Sequence, residues 1–185
     1  EMKKSNWTTL AASIAPPFEQ PALPTPRLNL DPITEIHADE LWELFRDPEL
    51  HHFVPFEPIS IESLRERCAR WSRRRSPDGN ELWLNWLARE KLTQKALGHF
   101  QVGIKPDGVA SIGYLVARTH QNKGFATEAL EAIFPYLRDK LGVREIKAWS
   151  DTRNIASHQL AKKLGMVQVD LIKNADFFKG GTSDE

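Results

Sequence analysis

The spacing of apolar residues changes period several times along the chain. Arg27-Leu28-Asn29-Leu30-Asp31 alternates apolar and polar, as a strand with one face in a core does, and Pro32 limits its extent. Leu41, Leu44 and Phe45 fall at i, i+3, i+4, which predicts a helix capped by Thr34 and stopped by Pro48. After Ser60, the stripe Ile61, Leu64, Cys68 and Trp71 predicts a second helix that ends near Pro77-Asp78-Gly79. The period then drops to two. Leu82 to Arg89 and Ala96 to Ile104 read as strands joined at Lys91-Leu92-Thr93-Gln94, and Ala110 to Val116 as a third after the turn Pro106-Asp107-Gly108. Polar Arg118 to Gly124 leads into a long helix from about Phe125 to Leu141, closed by Gly142, with Pro135 inside it predicting a kink or break. Glu145 to Trp149 reads as a strand, Ile155 to Leu164 as a helix stopped by Gly165, and Met166 to Ile172 as the last strand. Three successive strands followed by strand-helix alternation predict an α/β domain, a mixed sheet with helices on both faces.

Ahead of this pattern, Ser13 to Pro26 is dense in proline, which fixes φ and removes backbone donors. Residues 1–26 are therefore expected to form a Pro-rich N-terminal arm and 27–185 the domain. A chain of 185 residues with 41% apolar and 27% charged residues suits one globular domain and excludes global disorder. The 25 basic and 25 acidic residues cancel, so no basic surplus argues for a nucleic-acid or membrane-surface binder. A single cysteine, Cys68, rules out an internal disulfide and any multi-cysteine metal site. With no apolar run of membrane-spanning length and no signal-peptide core, the expected location is the cytoplasm.

Two segments carry chemistry. Gln121-Asn122-Lys123-Gly124-Phe125-Ala126 follows a strand and opens a helix. A helix start offers unpaired N–H groups and the positive end of the helix dipole, and small residues let an anion reach them, so the segment suits a pyrophosphate. It matches neither the G-x-x-x-x-G-K-[ST] phosphate loop nor the G-x-G-x-x-G dinucleotide fingerprint, and those readings drop. A glycine there equally serves backbone conformation alone. The second segment, Asn154 to Met166, has Asn154 as a helix cap, Ile155, Leu160 and Leu164 as core candidates and Gly165 as the stop.

Taken together, these segments resemble the GCN5-related N-acetyltransferase (GNAT) superfamily, in particular its RimJ/RimL-like branch of ribosomal-protein alanine acetyltransferases. Three stretches between Pro26 and Ile172 carry the resemblance: Thr25-Pro26-Arg27-Leu28 with Asp39 to Phe45; Ile112-Gly113-Tyr114-Leu115-Val116 through Gln121 to Ala129; and Asn154-Ile155-Ala156-Ser157 through Lys163-Leu164-Gly165-Met166. The resemblance implies a mostly antiparallel sheet whose central strands splay, with residues 27–185 as the acetyltransferase domain. It implies acetyl-CoA as co-substrate, with no metal. Leu115 and Val116 would hold the pantetheine and thioester; Gln121, Asn122, Lys123, Gly124, Phe125, Ala126 and Thr127 the pyrophosphate; and Asn154 the pantetheine from the other side. An extended amide-rich arm wants strand-like partners and a diphosphate a helix start, so the chemistry agrees.

The implied reaction is direct attack of a primary amine, either a protein N-terminus or a small molecule, on the thioester through a tetrahedral intermediate. The Val116 N–H is the implied oxyanion donor and Ser157 the implied partner of the leaving thiolate, because the tyrosine common in relatives is Ala161 here. The carboxylate often found before the Gly-Tyr pair is Ser111, which leaves the base open between Glu57, Asp151 and a water chain. His52, Phe53 and Glu57 are candidates for the amine pocket. Cys68, on an apolar stripe, reads as a buried inert thiol. The arginines between Arg65 and Arg75 read first as a solvated helix face, with an acidic tail, the CoA 3′-phosphate or RNA as other partners. After Asp176 to Glu185 relatives continue into a final strand that this chain is expected to lack, which would leave an exposed edge that invites the Pro-rich arm or a second chain; the expected state is monomer or homodimer. The alternative is a non-catalytic module of the same fold that binds acyl-CoA or a protein, and a third reading is a ribosome-associated factor.

Overall fold

The structure, a computed structural model, describes residues 18–53, 60–173, 175–178 and 181–184. Six strands form one sheet in sequence order: β1 (Leu23–Pro24), β2 (Leu28–Pro32), β3 (Leu82–Glu90), β4 (Ala96–Ile104), β5 (Val109–Val116) and β6 (Glu145–Lys147). Every neighbouring pair is antiparallel except β5 and β6, which run parallel. Among the described residues there are four α-helices: α1 (Ala38–Phe45), α2 (Ile61–Ser72), α3 (Phe125–Asp139) and α4 (Ile155–Lys163). A separate hairpin, β7 (Asp176–Phe178) and β8 (Gly181–Ser183), follows.

Strand alternation sends side chains into two cores, one on each face. Leu82, Leu84, Trp86 and Ala88 of β3 join Phe100, Val102, Ile112 and Val116 against the buried stripe Phe125, Ala129, Leu130, Ile133 and Leu137 of α3. Leu87 belongs to the opposite core, with Leu41, Leu44 and Phe45 of α1 and Leu64, Cys68 and Trp71 of α2. The mixed sheet with helices on both faces expected from the sequence is thus present.

Ser60 caps α2 as expected, accepting the Ser63 N–H at 3.2 Å. Thr34 instead stands before a short 3₁₀ turn, Glu35–His37, that feeds α1. Three expectations are corrected. The helix is not broken at Pro135: α3 runs unbroken from Phe125 to Asp139, its buried stripe holding both sides of the proline to the sheet. The strand expected at Glu145–Trp149 keeps only three residues, because β5 pairs with it only from Val109 to Ser111. Met166 to Ile172 is no strand; Val167 and Val169 are 80% and 88% exposed, and alternation specifies a strand only where a neighbour accepts its backbone.

Residues 18–26, the described part of the proline-rich arm, lie on the sheet. Leu23 and Pro24 pair with Leu30 and Asn29. The Gln20 amide serves both backbone groups of Asn85, donating to its C=O at 2.9 Å and accepting its N–H at 3.3 Å. Trp86 Nε1 donates to Pro21 O at 3.0 Å. Farther along the same side of β3, Trp83 N–H donates to Arg74 O at 2.9 Å.

Candidate functional site

The site begins where β5 and β6 part. Their pairing stops at Ser111 and Lys147, while β5 continues to Val116. The phase of the β4–β5 ladder decides which groups face the gap. Lys105 N–H donates to Val109 O at 3.0 Å and Ala117 N–H to Leu97 O at 2.7 Å, so odd-numbered β5 residues bond to β4. Tyr114 and Val116 therefore turn their N–H and C=O groups to the open side, and Leu115 turns its own to His99 on β4. Gln121 Nε2 donates to Val116 O at 2.9 Å, which leaves the Val116 N–H as the strand's last donor toward the gap.

The second part is the start of α3. Gly124 caps it with φ of +79°, a conformation L side chains rarely adopt, and Asn122 is also left-handed at +58°. The cap has no side-chain hydrogen bond, so the first N–H groups of the helix are available to an anion. Lys123 Nζ is turned back to Thr119 O at 2.7 Å. The Phe125 ring is buried in the core while its backbone opens the helix.

Around this helix start lies a contact set that sequence reading missed as a unit. The Arg27 backbone N–H and Nε donate to Glu128 Oε1 and Oε2, each at 2.6 Å, and the Thr25 hydroxyl donates to Oε1 at 2.6 Å. Arg27 Nη1 also donates to Lys123 O at 3.0 Å, and its guanidinium stacks 4.2 Å above the Phe125 ring. Burial pushes the Glu128 carboxyl up, but the hydrogen bonds from Thr25 and Arg27 together hold it below the usual carboxylate range. A cavity of about 490 Å³ opens beside this clamp, lined by Arg27, Gly124, Thr127, Glu131 and Lys163 among others. The signal that could have found the clamp is Thr25-Pro26-Arg27 in sequence with a carboxylate one helical turn after Gly124.

The third part is the start of α4. Asn154 Oδ1 accepts the Ser157 N–H at 3.2 Å, so half of its amide serves as the helix cap. Tyr114 reaches across from β5: its phenol oxygen lies 3.1 Å from Ser157 Oγ. Burial pushes the phenol up, opposed by the Ser157 hydrogen bond. The start of α4 thus stands against Tyr114 of β5, the strand whose far end leads to the Gly124 helix start.

Other candidates sort by burial. Cys68 is fully buried and its thiol is pushed up to about 11 by burial, so it cannot serve as a nucleophile at neutral pH. Asp151 is 2% exposed and its carboxylate binds the Arg153 N–H and guanidinium, a turn-forming role that takes it away from proton transfer. His52 is exposed and packs edge-on against Phe53 at 4.6 Å. Glu57 lies outside the described residues. In the arginine-rich segment, Arg65 pairs with Asp39 at 3.0 Å, and buried Arg74 donates to Ile33 O at 2.7 Å, so neither belongs to an unpaired basic face. Among the described residues no helix is long and apolar enough to cross a membrane, and no cluster could hold a metal ion.

Comparison with known proteins gives three kinds of likeness. A family model described as an acetyltransferase (GNAT) domain matches residues 27–167. The uncharacterized N-acetyltransferase p20 of Bacillus licheniformis is 27% identical over 162 residues, 86% of this chain and 90% of that one. Among solved structures, RimL, a ribosomal-protein α-N-acetyltransferase in complex with coenzyme A, superposes with a TM-score of 0.79 at 19% identity, covering 89% of this chain and 94% of that one. A structure described as a putative ribosomal-protein-serine acetyltransferase from Vibrio cholerae gives 0.69 at 23% identity, covering 92% and 95%.

Proposed function

The chain belongs to the GNAT acetyltransferase family, and from that premise we propose that it moves the acetyl group of acetyl-CoA to a primary amine by direct attack through a tetrahedral intermediate. The observation that carries this reading is the parting of β5 from β6, which turns backbone groups of Tyr114 and Val116 into a gap continuous with the Gly124 helix start. The chemistry of the groups fits the ligand. The pantetheine arm is a chain of amides that takes strand-like hydrogen bonds from β5 and from the Asn154 amide. The diphosphate takes the N–H groups between Gln121 and Thr127. The cavity beside Arg27 and Lys163 has room for the outer, nucleotide end of the cofactor.

Acetyl transfer to an amine sets three tasks. The oxyanion needs a fixed donor, and the Val116 N–H is held by its strand while Gln121 occupies the carbonyl of the same residue. The leaving thiolate needs a hydrogen bond, and Ser157 at the start of α4 supplies it. The attacking amine must lose a proton; an α-amino group, with a pKa of about 8, sheds it more readily than an alkyl amine. That favours an acceptor of the peptide N-terminus class, which is also the class that RimL's description names for that protein. His52 and Phe53 stand on the acceptor side in this reading.

The test is calorimetric titration of acetyl-CoA into the wild type and into Gly124→Glu. The expected result is micromolar binding, about 8 kcal/mol, abolished in the variant, where a carboxylate and a strained left-handed residue replace the cradle. Unchanged binding in the variant would remove the helix start from the cofactor site, and no binding by a folded wild type would discard the enzyme reading.

A further inference from the structure

We infer that Tyr114 is a positioning residue for the leaving thiolate: its phenol donates to Ser157 Oγ and so aims the Ser157 hydroxyl proton into the gap between β5 and β6. The inference rests on the acetyl-CoA reading above and extends it to a residue 43 positions from Ser157 in the chain.

A serine hydroxyl has one proton and rotates freely, so by itself it is a weakly directed donor. Three contacts remove that freedom here. The Asn154 side chain fixes the Ser157 backbone by accepting its N–H at 3.2 Å. The Tyr114 ring is held in a parallel stack on Phe100, with centroids 5.8 Å apart and planes 15° from parallel. The two hydroxyl oxygens then meet at 3.1 Å. A pair of hydroxyls can donate in either direction, and the chemistry selects one. A phenol is a stronger acid than an alkyl alcohol, and burial keeps this phenol protonated across the neutral range. It is therefore the donor. Ser157 Oγ accepts from it, which leaves the serine proton free for a third atom and, by cooperative polarisation, makes it a better donor.

That third atom is the sulfur. As the C–S bond of the tetrahedral species breaks, its electron pair passes to sulfur, and the Ser157 O–H meets the new charge with a charge-assisted hydrogen bond. No proton needs to move along the pair. Tyr114 and Ser157 keep their protons, CoA leaves as the thiolate, and water protonates it after release. The tyrosine that relatives carry at the position of Ala161 is thereby replaced by two hydroxyls brought from a strand and a helix start.

The test uses free CoA with the full chain, so it needs no acceptor. The ionisation of the bound thiol is followed by its ultraviolet thiolate absorbance across pH, in wild type, Tyr114→Phe, Ser157→Ala and the double variant. Tyr114→Phe keeps the stacked ring and removes only the hydroxyl. Bound to the wild type, the thiol ionises at lower pH than free CoA; each single variant raises that midpoint by about one unit, a tenfold loss of thiolate at fixed pH, and the double variant raises it no further. Acetyl-CoA affinity stays within twofold throughout. In turnover assays with peptide N-termini, the same variants lower kcat by about tenfold to a hundredfold with KM unchanged. A bound thiol whose midpoint ignores Tyr114→Phe, or variants whose effects add, overturns the proposal while leaving the acetyl-CoA reading standing. A folded wild type that binds no CoA overturns both. If Tyr114→Phe fails to fold, the midpoint in Ser157→Ala decides: an unshifted one ends the proposal.

Discussion

His99 shows how one residue can carry charge regulation without being catalytic. It is buried on β4, stacked on Trp71 at 4.8 Å and edge-on to Phe45 at 5.6 Å, with Nε2 2.9 Å from Asn85 Oδ1. Asn85 offers its oxygen there, so His99 Nε2 carries the proton. Burial first, and then the nearby Arg67 charge, lower its pKa to about 3. The unfolded chain takes up a proton at this residue near pH 6.5, while the folded one does not until about pH 3, so stability falls as pH drops through that window. Urea midpoints measured between pH 7 and pH 5 should decline for the wild type and show a shallower slope in His99→Gln, whatever its absolute stability. A wild-type midpoint that does not move would contradict a buried neutral imidazole.

The clamp on α3 belongs to the scale of elements, because it ties β2's approach to a helix start 101 residues away in sequence. Glu128 is the acceptor for three donors, one of them a backbone N–H that cannot turn elsewhere. Glu128→Ala should cost about 1–2 kcal/mol in urea unfolding, since it removes three hydrogen bonds of which the one from Thr25 is part-buried, with acetyl-CoA affinity falling as the helix start loses its brace. Glu128→Gln should cost less, and should remove the part of the stability that the wild type loses as its depressed carboxyl protonates in acid. Elements are largely legible in the sequence, because periods of 2 and 3.6 are local facts: β4 lies at Ala96–Ile104, as its alternation predicts. What failed depended on neighbours. Val167 and Val169 alternate as a strand would, but no strand pairs with them among the described residues. The backbone side of the site was legible through its helix start. The Tyr114–Ser157 contact was not, because it depends on how far α4 stands from β5 once those strands part.

At the scale of the whole molecule, the match to the family model begins at Arg27, while the packing begins earlier. Residues 18–26 add β1 to the sheet, place Gln20 on Asn85, bond Pro21 to Trp86 and supply Thr25 to Glu128. A chain begun at Arg27 should be less stable by about 3–5 kcal/mol, the sum of a few buried hydrogen bonds and the apolar contact of Phe18 and Leu23. Thermal unfolding compared with a chain begun at Phe18 checks this; equal midpoints would make the segment decoration.

The outer side of β3 is finished by three unrelated pieces. β2 covers Trp86 to Glu90 and its continuation Ile33 donates its N–H to Asn85 O, the Gln20 amide joins it there by accepting the Asn85 N–H, and Arg74 meets Trp83. A patchwork of this kind offers no continuous ladder for another molecule to copy, so a nine-residue strand is denied to templated self-association. Heating that releases only the Gln20 contact would free the Asn85 N–H alone, since Ile33 still holds its carbonyl, and one donor is too short a template to seed a fibre.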